Sequence, residues 1–272
     1  MTAVLPAPPR RGQELPTAQR GGSESAPGAG GWPRRLGGYA VTPVVLGLAL
    51  LGLYLYVSGR HLDVVERRSL NASYITTRVV QHVELSLAVT VLVVAIAVPA
   101  GIALTRSATR RLTPLILGVA NIGQAVPSIG VLVLFALVIG IGPGIAVAAF
   151  VIYGILPVLR NTMVGLEQVD ASVIEAARGM GMSKAGVLAR IELPLAVPVI
   201  MAGVRTALVI AVGTVALATF VNAGALGDII NNGITTDRQL VTFVGSALTA
   251  VLALLVDWVG GIAEDTLRPR GL

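Results

Sequence analysis

The chain has 272 residues and no cysteine. Disulfides, thiolate metal sites and a cysteine nucleophile are therefore excluded. Histidine is nearly absent too: His61 and His82 are too few and too far apart to make a metal site. No Walker-type glycine loop precedes a Lys-Ser or Lys-Thr pair, and there is no G-x-S-x-G elbow. No two carboxylates are paired inside an apolar run. Nucleotide hydrolysis, serine-hydrolase chemistry and intramembrane acid–base catalysis all lack their residues, so the sequence reads as a non-enzyme with no cofactor or metal of its own. Aromatics make up only 4% and charged residues only 12% of the chain.

What the chain has in abundance is aliphatic residues. Hydrophobic residues reach 54% and the mean hydropathy is +0.82, the profile of an all-α polytopic membrane protein. A net charge of +6 would point to nucleic acid in a soluble protein. Here the arginines fall mainly between apolar runs, so they read as topology determinants, with no nucleic-acid partner. Residues 1–38, with six prolines, eight glycines and five arginines, bury too little to offset ordering entropy and are expected to be a disordered cytoplasmic tail.

Six spans are expected: 39–58, 83–105, 114–140, 143–160, 199–220 and 240–262, with both termini cytoplasmic. Residues 39–82 form the first span and an external segment, and residues 83–272 the main transmembrane domain. The 114–140 run is read as one kinked span rather than two short ones, because seven crossings would leave a basic or charged segment outside. Under this topology 14 of the 20 Lys and Arg residues lie inside, five outside and one, Arg205, within a span. Four of the outer five, Arg60, Arg67, Arg68 and Arg78, fit that side poorly.

Within 114–140, Asn121, Gln124 and Ser128 recur at i, i+3 and i+7 and are expected to share one helix face directed into the bundle. They are candidates to line a path, with ordinary helix–helix hydrogen bonding as the alternative. Pro127 interrupts the backbone ladder beside them. Arg205 is placed about one turn into its span, where it snorkels or pairs with a carboxylate; its role is read as structural. Asp257 beside Trp258 reads as an interfacial anchor.

The stretch 170–194 breaks the apolar pattern, with five charges in the 18 residues from Glu175 to Glu192. Local chemistry predicts two short helices and a hinge. Asp170 caps the first, Gly179 and Gly181 end it with left-handed backbone angles, and Ser183 caps the second. Pro194 and Pro198 limit its continuation. A charged helical elbow between spans belongs on the cytoplasmic face, within reach of a soluble partner.

The spacing Glu175-Ala176-Ala177, Gly181, Ile191, Leu193-Pro194 resembles the EAA-x3-G-x9-I-x-L-P signature of permease subunits in binding-protein-dependent ABC importers. The stretches HVELSLAV (82–89), QAVPSIGVL (124–132), LPVLRNTMVGLEQVD (156–170), ELPLAVPVIMAGVRTA (192–207) and FVNAGALGDII (220–230) are similar to the glycine betaine/choline/carnitine branch. The resemblance implies a type I ABC importer permease fold in a prokaryotic cell membrane, with 170–194 as the coupling segment. It also implies a second permease, two copies of an ATPase carrying ATP and Mg, and an extracytoplasmic substrate-binding protein. Methionine permeases share the coupling signature and are the alternative within the class. A membrane scaffold that tethers a cytoplasmic partner is the alternative outside it.

Overall fold

The computed structural model describes residues 32–267, with side chains from Tyr39 onwards. The described residues from Tyr39 onwards form one compact unit. Most of the expected disordered tail lies outside the described residues. Its last seven residues are helical, because α1 spans Trp32–Ser58 and ignores the boundary expected at Tyr39. Pro33 is tolerated there, since a first-turn N–H has no intrahelical partner to lose.

Five helical runs are long and apolar enough to cross a membrane, and a sixth crossing exists if one bent pair counts as a single span. After α1 come the short α2 (Val64–Ser69) and the 33-residue α3 (Ala72–Leu104). A 3-10 turn at Arg110–Leu112 leads into α4 (Thr113–Ala125) and α5 (Ser128–Val138). Next are α6 (Pro143–Glu167), α7 (Ala171–Gly179) and α8 (Lys184–Val187). A π turn at Leu188–Glu192 joins α8 to α9 (Leu193–Val215), making one continuous run from Lys184 to Val221. A 3-10 turn (Ala216–Val221), α10 (Gly227–Thr235) and α11 (Gln239–Thr266) complete the described residues, which contain no strand.

The second span begins earlier than its hydropathy indicates. Residues 72–82, expected as external coil, form the first three turns of α3. They are polar but not free. Arg78 pairs with Asp228 of α10 at 3.0 Å and lies 4.8 Å from the Tyr74 ring centroid. Two further ties hold this end together: Asn232 Nδ2 donates to Ser69 Oγ (2.6 Å), and Arg238 Nε meets Asp63 (2.6 Å). Asp63 also caps α2, and the Glu66 N–H it accepts holds its carboxyl below the ordinary value.

At the centre, α6 packs on both α3 and α9. The contact is close because small residues face the neighbour at each crossing. A Cβ on Gly101 would lie 2.8 Å from the Thr162 side chain, and one on Gly203 would lie 2.9 Å from the Pro157 carbonyl. Val93, Ala97, Ala149, Phe150, Val158, Leu159, Ala207 and Ala211 fill the space between these helices and are almost fully buried.

Candidate coupling and translocation site

The elbow at 170–194 has the local structure its sequence predicts at three of its corners. The Asp170 carboxylate accepts the Ser172 N–H at 2.8 Å and starts α7, and that bond holds its carboxyl below the ordinary value. Gly181 has φ +86° and turns the chain. Ser183 Oγ accepts the Gly186 N–H at 3.1 Å and starts α8. One expectation is corrected. Gly179 does not take a left-handed angle; it closes α7 as its last helical residue. Pro194 affects how the second helix continues without ending it. Pro194 lacks an N–H, so the chain widens into the π turn, in which the Leu193 N–H reaches back to the Leu188 carbonyl, and then runs on as α9.

The signature residues divide between two faces. Ala177 is buried, only 2% exposed, and its small side chain serves packing within the chain rather than a partner's approach. Ala176 and Glu175 are exposed, as are Val173 and Met180. Val173, Ala176 and Met180 stand at i, i+3 and i+7, so they form one exposed apolar stripe on α7, and Glu175, two residues after Val173, is exposed on a different face. Ile191 and Leu193 are half-buried, Leu193 against Leu166, Ala196 and Ile200, and Pro194 is exposed.

The three polar residues of 114–140 do not share a helix face. Val126 and Pro127 are both extended, with ψ 136° and 129°, and α4 and α5 meet at a bend of 94°. Asn121 and Gln124 lie on α4, whereas Ser128 opens α5. A proline disfavours helical angles in the residue before it and donates no hydrogen bond, which explains the break. The bend itself is fixed by α6. Tyr153 Oη donates to the freed Val126 carbonyl (2.9 Å), Gln124 Nε2 donates to the Tyr153 carbonyl (2.6 Å), and Arg160 donates to Asn121 Oδ1 (3.0 Å). The pair still joins opposite ends of the bundle. Thr113 Oγ1 donates to the Leu104 carbonyl at the α3 terminus, and α5 packs on the 3-10 turn at 216–221. Where the sequence predicts a single kinked span, two helices meet at 94°, making one crossing if the pair counts as a single span.

Tyr153→Phe is expected to remove the part-buried bond to the Val126 carbonyl. The cost should be about 0.5–1.5 kcal/mol, visible as a lowered melting temperature in detergent with no change in helix content.

Sequence reasoning missed several residues that the fold brings together. His82 is fully buried; its Nδ1 accepts the Leu226 N–H (3.3 Å), so Nε2 carries the proton it donates to the Val212 carbonyl (2.8 Å). It ties α3 to α9 and to the 222–226 turn. The period Tyr74, Arg78, His82, Leu85 on α3 was the available signal. Arg205 is not one turn into its helix. It sits 13 residues beyond Glu192, about 20 Å along the axis. There it forms a two-point pair with Asp257 (2.7 and 2.7 Å), with Glu264 at 3.6 Å. Asp257 is thus an ion-pair partner, while Trp258 is the anchor, donating to the Tyr39 carbonyl at 2.9 Å.

Residues 97–269 match the family described as the binding-protein-dependent transport system inner membrane component. The chain belongs to that family. The carnitine transport permease protein OpuCD of Listeria monocytogenes is 40% identical over 200 residues, which cover 73% of this chain and 89% of the relative. The choline transport system permease protein OpuBB of Bacillus subtilis is 35% identical over 209 residues, covering 77% and 95%. The osmoprotectant import permease protein OsmY of Salmonella typhimurium is 36% identical over 215 residues, covering 78% and 90%. A chain of the inward-facing MetNI methionine ABC transporter superposes with a TM-score of 0.63 at 22% identity, covering 72% of this permease and 96% of that chain. The family match therefore runs from the last turns of α3 to α11, and both the elbow and the α4–α5 pair lie inside it.

Proposed function

We propose that the chain is the membrane permease of an ABC importer for osmoprotectants: glycine betaine, choline, carnitine or related quaternary amines. It forms part of the translocation path and couples that path to a separate ATPase. The observation that carries this reading is the identity of 35–40% with carnitine, choline and osmoprotectant permeases over about three quarters of the chain. Methionine remains the second reading because of the fold shared with MetNI, a likeness weaker in sequence.

The exposed surface of α7 supports a coupling role for residues 170–194. The α7 elbow offers an exposed apolar stripe (Val173, Ala176, Met180) and, on a different face, an exposed carboxylate (Glu175). That combination suits a helix seated in a groove of another protein, with apolar anchors on one wall and one charge-assisted bond, buried on docking, on the other. The elbow faces the cytoplasm in this reading, and both termini lie on that side. Gly181, Ile191, Leu193 and Pro194 shape the route from α7 into α9. Two ATPase copies carry ATP and Mg, a second permease completes the path, and an extracytoplasmic binding protein selects and delivers the substrate. On the path itself, Asn121 and Gln124 act as the hydrogen-bonded wall of the α4 half, with Ser128 at the start of the α5 half.

The test is reconstitution with the ATPase and the binding protein in lipid vesicles. ATP-dependent accumulation of labelled glycine betaine, choline or carnitine, and none of methionine, is the expected result. Accumulation of methionine alone would overturn the substrate assignment.

A further inference from the structure

The elbow is joined covalently to α6 on one side and to α9 on the other, but not to α3. Yet α3 runs alongside both helices and leads into the broken α4–α5 pair. One side-chain contact bridges that gap. Glu192, the last residue of the π turn, is only 4% exposed, and both of its carboxylate oxygens are taken by Arg106. Arg106 Nη2 reaches Oε2 at 2.5 Å, and Nη1 reaches Oε1 at 3.3 Å. The two residues are 86 apart in sequence.

Both ends of this bridge are rigidly mounted. Glu192 precedes Leu193-Pro194, and the π turn sets its direction by adding one residue to the helical register. Arg106 sits at the corner after α3. Its Nε donates to the Ile102 carbonyl (3.4 Å), and its own carbonyl accepts the N–H groups of Thr109 (3.1 Å) and Arg110 (3.0 Å). Those two residues lead directly into the 3-10 turn that starts α4. A two-point guanidinium–carboxylate pair fixes orientation as well as distance, which a single ammonium does not.

We propose that Arg106 and Glu192 form the strut through which movement of the elbow reaches α3 and the broken α4–α5 pair. They are positioning residues, acting by holding the end of α3 to the elbow. Without the pair, the elbow still docks and still swings α9, but the α4 half of the path no longer follows. The proposal rests on the coupling role given above to residues 170–194.

The test uses the complete transporter in vesicles and measures ATP hydrolysed per labelled choline, carnitine or glycine betaine accumulated. Arg106→Gln, Glu192→Gln, the double variant and Arg106→Lys are compared with the unaltered complex. Each single Gln variant is expected to assemble with the ATPase and hydrolyse ATP, while the ratio of ATP to substrate rises at least tenfold. The double variant is expected to be no worse than either single one, because the two residues act as a unit. Arg106→Lys, which keeps the charge without the fork, is expected to fall between. An unchanged ratio in the single variants, or effects that multiply in the double one, would overturn the strut. Loss of assembled complex in every variant would overturn it too, by making the pair purely structural. Failure of the unaltered complex to transport any of the three substrates would remove the underlying reading as well, so the two failures are told apart.

Discussion

Gly227→Ala is expected to leave almost no folded permease in the membrane. A Cβ at this position would lie 1.8 Å from the Ala216 carbonyl oxygen, and the atoms next nearest are also Ala216 backbone. No rotamer relieves such a contact, so either α10 or the 3-10 turn before it must move. Neither is free to do so. The turn between them holds Asn222 and Ala225 at φ 56° and 78°, which few L residues adopt without support. Leu226, next to Gly227, is fully buried and bonded to His82. Overpacking of this kind costs about 1–3 kcal/mol in an adaptable core and more where backbone meets backbone. The check is the yield and melting temperature of purified protein, with Gly118→Ala as control, since no atom lies within 4 Å of a Cβ there. Near-normal yield of the Gly227 variant would show that this end of the bundle is looser than described.

Glu175→Arg is expected to do the reverse: full insertion, normal melting and almost no uptake. Among the described residues the Glu175 side chain forms no hydrogen bond or ion pair, so its replacement breaks no such contact in its own chain. Exposed substitutions of that sort usually fall within about 0.5 kcal/mol of neutral. The loss lies at the partner. Removing one member of a docked charge pair weakens association by roughly thirtyfold or more, and reversing it adds repulsion. ATP-driven uptake and co-purification of the ATPase should fall together. Normal uptake would favour the scaffold reading, in which the elbow only tethers a partner.

The contrast between these variants also marks what the sequence makes legible. The elbow could be read residue by residue because its chemistry is short-range. Asp170 caps a residue two places on, Ser183 one three places on, and Gly181 turns on its own backbone angle. The spans were legible from hydropathy for the same reason, apart from their ends. Residues 72–82 read as an external segment because the partners of Arg78 and His82 (Asp228, Leu226 and Val212) lie 130 or more residues away. The 94° bend has a local cause in Pro127, but its direction is set by Tyr153 on another helix. That bend separates Ser128 from Asn121 and Gln124, whose spacing had placed all three on one face. Arg106 reads as an ordinary positive-inside residue and Glu192 as one charge among five, and only the folded chain shows that they meet. Buried ionic contacts between distant segments leave no periodic trace.

The account depends on α7 presenting its outer stripe to a separate ATPase. A chain without cysteine permits a direct test. Met180→Cys places one thiol at a site that is 78% exposed on that stripe, and Ile234→Cys places one on α10 at the opposite end, at a site 64% exposed. The account predicts that only the thiol at position 180 cross-links to the ATPase subunit and that it is protected from external reagents in intact cells. Labelling of position 180 from outside, or cross-linking of the ATPase to position 234 instead, would contradict it.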